Sequence, residues 1–503
     1  MSPESCEDPP PRARWEEPAR DGWGSTPAGI ALELLSFLLT VAAASIALRV
    51  LAEGRQLSSH GTGLRFFYGC ALLFVAAMLA AAIGAYVWNR VSGFATLFAM
   101  LTDHGRSARL GGRPPVWLDA APGRGLKLAH LTDLHVTEGP RVRLIEKARP
   151  GGNEVLPSLF TRPELAESDL VLFTGDLTDR GTAGSWQCFT DTLIAHGLAD
   201  KTILVPGNHD IALCEYIRRT EALRSDRFGI VQLANLLKFA EATAVTHGGT
   251  HGFVWDAEAR ARVPYLEAFR RAEANVRPLL EALPDEPVPR LRAHAYLREI
   301  GPFRAYGRRI EAARTQLLEL FPIAVPVPAH DAELYVLNSS ARTFRHATMN
   351  AFGHVGHAQY RRLHRLAETS TAHLRLVAVH HHVVRRSEER SLQLKRRFFA
   401  KFTVLGDARP LAKFCEKHRV RAVMNGHRHL SYQLRLANGT VLLSAPSSTM
   451  GDELTRDPRP QFERYDFAET VVSPSVGVFR QSVRLGMPEQ DWASTAYPAL
   501  PAR

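Results

Sequence analysis

Residues 126–135 read LKLAHLTDLH, residues 170–179 LVLFTGDLTD and residues 202–210 TILVPGNHD. Each is an apolar run of strand length that stops abruptly at Asp, His, Gly or Asn. That is the pattern of a buried strand whose C-terminal end delivers polar side chains onto a loop. It returns at 333–340 (ELYVLNSS), 374–381 (LRLVAVHH) and 421–427 (RAVMNGH). The expected fold class is α/β, with the chemistry collected where the strands end.

Working outward, Gly105–Gly125 (GRSARLGGRPPVWLDAAPGRG) is rich in Gly, Pro and Arg and reads as irregular chain. A linker over 102–125 and a folded domain over 126–486 follow, with an irregular tail at 487–503. Between Ile211 and Pro328 the pattern turns helical, RVPYLEAFRRAEANVRPLLEAL being the clearest amphipathic piece. A helical insertion of about 211–328 beside the site is expected. Upstream, Ala28–Leu48 and Phe66–Trp88 are apolar runs that reach the roughly 20 residues needed to cross a hydrocarbon core. Arg49, Arg65 and Arg90 bracket them, and Phe66, Phe67, Tyr68, Tyr86 and Trp88 supply interfacial aromatics. This predicts a membrane hairpin over 28–101, with two transmembrane helices at about 28–48 and 66–88, behind a disordered polar tail at 1–27. A multi-pass membrane protein with its domain on the cytoplasmic side is the expectation.

The 503 residues are 45% hydrophobic and 22% charged, which excludes collagen-like and wholly disordered chains as well as a single small module. A formal charge of +11 favours acidic partners, whether phosphate esters, nucleic acid or anionic headgroups. Cys6, Cys70, Cys188, Cys214 and Cys415 are scattered without a C-x-x-C, so neither a disulfide framework nor a zinc ribbon is indicated.

Five polar clusters occupy the strand ends: Asp133-Leu134-His135, Gly175-Asp176-Leu177-Thr178-Asp179, Gly207-Asn208-His209-Asp210, His380-His381-His382 and Gly426-His427-Arg428-His429. In extended chain, residues two apart project to one side, so Asp133 with His135, and His427 with His429, can face one cavity. Carboxylate, imidazole and amide oxygen together suit Mn, Fe or Zn, and no cysteine is placed to contribute. Glycines 175, 207 and 426 are expected to let the backbone turn tightly beside an ion.

In order and type these clusters resemble the calcineurin-like metallophosphoesterase superfamily, whose pattern is D-x-H, G-D-x-x-D, G-N-H-[DE], H and G-H-x-H. The resemblance spans about Leu126 to Arg484. Gly353–Leu366 (GHVGHAQYRRLHRL) is similar to the G-x-x-G-x-x-Q-x-x-W-L segment of the phosphodiesterase branch, with Leu363 and His364 near the tryptophan's place. The resemblance implies a four-layer αββα sandwich holding two divalent metal ions. Asp133, His135, Asp176 and His429 would hold one ion, and Asp176, Asn208, His380 and His427 the other, with Asp176 bridging. It implies in-line attack on phosphorus by a hydroxide shared between the ions. His209 and Asp210 would be the catalytic pair, His209 as the acid, while Asp210 and Asp179 are also suited to fixing imidazoles and backbone. His382 stands where the family usually has proline. That leaves His380, by alignment with H-x-P, and His381 as alternatives for the ligand.

The implied function is a membrane-anchored dinuclear phosphodiesterase acting on a phosphate-ester substrate. The alternatives are a phosphomonoesterase or nucleotide-lipid pyrophosphatase and, in another class, a non-catalytic scaffold; no nucleic-acid partner is assigned. His354, His357, His364 and His373 read as surface or packing histidines. The basic run Arg385, Arg386, Arg390, Lys395, Arg396, Arg397 and Lys401 reads as a solvated face or an anion-attracting flank of the cleft.

Overall fold

The computed structural model describes residues 112–113, 125–137, 152–211, 225–281, 309–340, 352–384, 404–452, 457, 459–469, 476–485 and 493–495, all within the unit Met100–Arg503. The tail 1–27, the spans 28–48 and 66–88, most of the linker and the basic run at 385–401 lie outside the described residues. No described helix is long and apolar enough to cross a membrane.

Fifteen strands are described: β1 (Gly112–Arg113), β2 (Leu126–Leu131), β3 (Leu170–Phe173), β4 (Thr202–Leu204), β5 (Phe253–Asp256), β6 (Ala261–Pro264), β7 (Ile323–Val327), β8 (Ala332–Val336), β9 (Leu374–Ala378), β10 (Ala422–Asn425), β11 (Tyr432–Leu436), β12 (Val441–Ser444), β13 (Gln461–Glu469), β14 (Val476–Arg484) and β15 (Ala493–Thr495). They form a nine-stranded sheet, β1-β11-β12-β10-β9-β8-β7-β5-β6, and a six-stranded sheet, β15-β14-β13-β2-β3-β4. The six runs quoted from the sequence are β2, β3, β4, β8, β9 and β10. Within each sheet these strands are mutually parallel, so the polar residues that follow them gather at one end.

The nine-stranded sheet is covered on both faces. Leu334, Val336, Leu376, Ala378, Ala422 and Met424 share one apolar core with β2, β3 and β4. Tyr335, Val377 and Val423, which alternate with them, belong to a second core with helices His357–Glu368 and Ala408–Lys417. This strict alternation puts one sheet face on the other sheet and one under helices. Beyond β3, Phe160 and Phe189 from helices Gly152–Phe160 and Ala183–Ala195 pack edge-on against Phe173, with ring centroids 6.0 and 5.5 Å away. The layers therefore run helix, sheet, sheet, helix.

The region read as a helical insertion contains helices Ser225–Ala244, His247–Thr250, Tyr265–Glu281 and 309–319. Their buried residues, including Phe239, Tyr265, Val276 and Leu317, join the core of the sheets. The region also supplies β5, β6 and β7, which extend the nine-stranded sheet. Within the segments read as linker and tail, Gly112–Arg113 pairs with β11 and Ala493–Thr495 with β14.

Edge strand β6 is tied to buried β8 by one ion pair. Arg262 donates from Nη1 and Nη2 to the two Glu333 oxygens at 2.6 and 3.1 Å, and from Nη2 to the Leu366 carbonyl at 2.5 Å. Burial alone raises the Glu333 carboxyl, but Arg262, Ser370 and Tyr335 outweigh it and hold the group below its ordinary range. A depressed carboxyl contributes stability above its unfolded-state pKa and loses it as pH falls through the folded value. Arg262→Ala is expected to cost about 3 kcal/mol near neutral pH by stranding the Glu333 charge. Chemical denaturation should show the gap closing below about pH 4, where glutamate protonates; a pH-independent gap would refute the ion-pair account.

Candidate metal centre

The site forms where the C-terminal ends of β2, β3 and β4 in one sheet meet those of β9 and β10 in the other. Asp133, His135, Asp176, His427 and His429 have φ of 53°, 51°, 51°, 75° and 52°. All five lie in the left-handed region, which ordinary L-residues enter at a cost. The expectation of extended chain is corrected here: the paired side chains share a cavity because the backbone is coiled left-handed at both members of each pair. Strain concentrated on polar residues at strand ends is characteristic of functional sites.

Backbone and side chains lock these turns together. Asp133 and His135 donate their N–H groups to the carbonyls of Gly175 and Asp176, both at 3.0 Å. Across the sheets, Ser448 N–H donates to the Thr132 carbonyl at 2.9 Å, and Thr132 N–H to Ser448 Oγ at 3.1 Å. Ser447 Oγ donates to the Asp133 carbonyl at 2.8 Å and Thr449 Oγ1 to that of Leu134 at 3.0 Å. Gly175 has a φ of +96°, as a turn requires. At 207 and 426 the reason for glycine is space: a Cβ at 207 would strike the Asp176 backbone N and Oδ1, and one at 426 would strike Thr132 Oγ1.

His380 is the hub. Its Nδ1 donates to the Thr174 carbonyl at 2.7 Å, and a carbonyl can only accept, so in the neutral ring the lone pair sits on Nε2. That Nε2 lies 3.1 Å from Asn208 Oδ1, 3.3 Å from Asp176 Oδ2 and 3.0 Å from His427 Nδ1. Four ligand-type atoms thus converge. A second convergence joins Asp133, His135 and His429, one ligand atom of each lying within 4.8 Å of the others. His429 Nε2 is 3.5 Å from Asp133 Oδ1, and His135 Nδ1 is 3.5 Å from Asp179 Oδ1, which orients that ring. Asp133, Asp176 and His380 form a further such group, linking the two convergences. His381 meets His380 and His427 within the same 4.8 Å, but its Nδ1 is engaged by Ser339 Oγ at 2.8 Å.

Protonation matches ligation. Burial opposes charge on Asp176, yet His380, His209 and His135 hold its carboxyl well below the usual range. Burial, then neighbouring imidazoles, push His427 and His381 well below the ordinary imidazole value, so both rings are neutral. His380 is lifted to about 8, because Asp176 and Asp133 overcome burial. A cation between these groups would take the place of that proton. Asp133 Oδ1 is fully buried and accepts no hydrogen bond, an uncompensated lone pair that an ion would satisfy. Two carboxylates, four imidazoles and an amide oxygen, with an orphaned carboxylate oxygen among them, fit a pair of divalent cations.

His209 donates its N–H to Asp176 Oδ1 at 2.8 Å and its ring Nδ1 to the Asp179 carbonyl at 2.9 Å. Its ring meets His135 edge-on at 4.5 Å, inside the site. Asp210 has a different part. Its carboxylate accepts from the N–H groups of Leu177, Thr178 and Gly207 at 3.3, 2.9 and 2.9 Å and from Thr178 Oγ1 at 3.0 Å. Burial and the Asp176 charge push it up to about 6 against those bonds. Asp210 thereby ties the turn after β3 to the turn after β4.

Sequence reasoning missed Thr132 and Thr174, which follow β2 and β3 directly, and Ser447, Ser448 and Thr449, whose only signal is a Ser/Thr-rich run, SAPSSTMG, starting at the end of β12. It also missed Ser339 against His381, and Tyr432, whose hydroxyl meets His382 Nδ1 at 2.8 Å. Gln359, in the G-x-x-G-x-x-Q segment, accepts from Asn338 N–H at 2.8 Å and donates to its carbonyl at 2.9 Å, fixing the end of β8. His354, His357, His364 and His373 take no part in these ligand groups.

Residues 126–299 match the family model of the calcineurin-like phosphoesterases. No curated protein matches it. Among solved structures it is similar to a dimetal phosphatase from Danio rerio, at 12% identity over 75% of this chain and 100% of that one, TM-score 0.36. It is also similar to Vacuolar Protein Sorting 29 from Cryptosporidium parvum, at 10% identity over 75% and 99%, TM-score 0.27. A putative 5'-nucleotidase from Staphylococcus aureus matches at 8% identity over 75% of this chain and 54% of that one, TM-score 0.31. Identities and scores this low carry neither activity nor substrate across.

Gly426→Ala would set a methyl group against Thr132 Oγ1 and 2.8 Å from Asp133 Oδ2. The expected result is a folded protein with reduced cation content, read by elemental analysis after desalting. Content equal to wild type would show that the turn yields without disturbing Asp133.

Proposed function

We propose that this protein is a dinuclear metal-dependent phosphoesterase that hydrolyses a phosphate diester. The observation that carries the reading is the convergence of Asp176 Oδ2, Asn208 Oδ1 and His427 Nδ1 on His380 Nε2. Asp133, His135, Asp176 and His429 would hold one cation and Asp176, Asn208, His380 and His427 the other. When bound, such ions activate water and neutralise charge on the phosphoryl oxygens. The chain's own residues do the rest. Asp179 fixes the rings of His135 and His209, and Asp210 holds the turns that carry Asp176 and Asn208. His209, whose Nδ1–H is committed to the Asp179 carbonyl, would protonate the leaving oxygen from Nε2 as an imidazolium. The preference for a diester is supported by the likeness of Gly353–Leu366 to the phosphodiesterase branch.

The test is hydrolysis of bis-p-nitrophenyl phosphate and p-nitrophenyl phosphate by the full chain with manganese. Diester turnover should be abolished by chelation and fall at least about 100-fold in Asp176→Asn, the scale of losing one group that stabilises transition-state charge. Turnover of the monoester alone would sink the diester reading in favour of a phosphomonoesterase. A chain that binds no metal, and whose role survives Asp176→Asn, would be a scaffold.

The apolar runs at 28–48 and 66–88 support a membrane anchor, with the domain on the cytoplasmic side. The net charge of +11 suits an anionic substrate or surface. Alkaline carbonate extraction should leave the chain in the membrane pellet; release into the supernatant would exclude the hairpin.

A further inference from the structure

His381 is buried, lies against the rings of His380 and His427 at centroid distances of 4.9 and 4.4 Å, and has no place among the ligands proposed above. Its two ring nitrogens differ. Nδ1 meets Ser339 Oγ at 2.8 Å, whereas Nε2 is buried without a hydrogen-bond partner. Ser339 Oγ already accepts the backbone N–H of His381 at 3.4 Å. Were the hydroxyl also to accept from Nδ1, its own proton would be buried unused and Nε2 would hold an unused lone pair. If it donates to Nδ1 instead, one unsatisfied group remains in place of two, and that group is an N–H on Nε2. An Nε2 that carries a proton has no lone pair for a metal. His380 is fixed in the same tautomer but by a carbonyl, and there it is the lone pair that faces the neighbouring ligand atoms.

Gly353 explains how the ring is held: a Cβ there would lie 2.5 Å from His381 Cβ and Cγ and 3.0 Å from Nδ1. The backbone at 353 therefore closes off the Nδ1 side of the ring. His354 N–H donates to the Ser339 carbonyl at 2.7 Å, holding the serine against it. An unpartnered buried donor is costly, and such groups persist where a ligand completes them. Resting on the dinuclear reading, we infer that His381 is a substrate-contacting residue whose Nε2–H donates a hydrogen bond to a non-bridging phosphoryl oxygen held beside His380 and His427, with Ser339 setting the tautomer.

The test uses the full chain loaded with manganese and inorganic phosphate as the probe, binding being followed by calorimetry and cation content by elemental analysis. His381→Leu should keep the wild-type cation content, whereas His380→Leu should lose a cation. Phosphate should bind His381→Leu about 10- to 100-fold more weakly, the range for one hydrogen bond to a charged group. His381→Gln, whose amide N–H reaches a similar position, should stay within about threefold of wild type. Loss of a cation from His381→Leu would make the ring a ligand, and unchanged phosphate affinity would make it packing; either overturns the inference. If His381→Leu does not fold, Ser339→Ala carries the same phosphate measurement, and an affinity equal to wild type there overturns it too. Failure of the wild-type chain to take up manganese would overturn the dinuclear reading itself.

Discussion

The hydrogen bond from His380 Nδ1 to the Thr174 carbonyl, 2.7 Å long and joining residues 206 positions apart, is the contact on which the site depends. It links the end of β9 in one sheet to the end of β3 in the other and sets which nitrogen of His380 is left to coordinate. It also brings the imidazole so close to residue 175 that any Cβ there would collide with the ring. Around it the sheets meet through Thr132 and Ser448 with no room for a side chain at 426. The glycines, the serine-rich turn after β12 and the left-handed residues are all consequences of bringing two sets of strand ends together.

That convergence also makes the centre electrostatically unfinished. Asp133 and Asp176 are buried carboxylates in a nest of imidazoles, and isolated buried charges are expensive. Neighbouring histidines keep both ionised, and hydrogen bonds cover most of their oxygens. Asp133 Oδ1 remains uncovered, as do Nε2 of His381 and His427. Buried polar atoms without partners, two of them on the left-handed residues Asp133 and His427, mark a place where stability has been given up for binding.

Much of this was legible beforehand, because the six apolar runs and the residues that end them are local signals. β2, β3, β4, β8, β9 and β10 were readable for that reason, and so was each candidate ligand. β5 and β6 were not: four residues long and carrying Asp256, Arg262 and Pro264, they owe their pairing to the sheet edge and to the Arg262–Glu333 clamp. Nor could spacing reveal left-handed backbone at Asp133 or His427, since that conformation is imposed by contacts from the other sheet. Asp210 beside His209 reads as a catalytic pair in sequence; the four donors around its carboxylate, through which it also braces the turns, become visible only in the fold. What distinguishes His380 from His381, the contact each Nδ1 makes with a carbonyl or with a hydroxyl, is likewise invisible in the sequence.

The order of the ligands along the chain has a consequence during synthesis. Asp133, His135, Asp176 and Asn208 leave the ribosome early, and the helices between 225 and 319 must follow before His380, His427 and His429 appear. Until then the growing chain presents oxygen donors with a single ligand imidazole, a set better suited to abundant hard cations that bind weakly and exchange fast. The nitrogen-rich half arrives last, at the ends of β9 and β10, and with it the proposed donor set would gain the imidazoles that suit a transition metal. For a domain that holds two cations as proposed, commitment to them would thereby be deferred until the domain is nearly complete, and folding itself would act as the gate on metal selection.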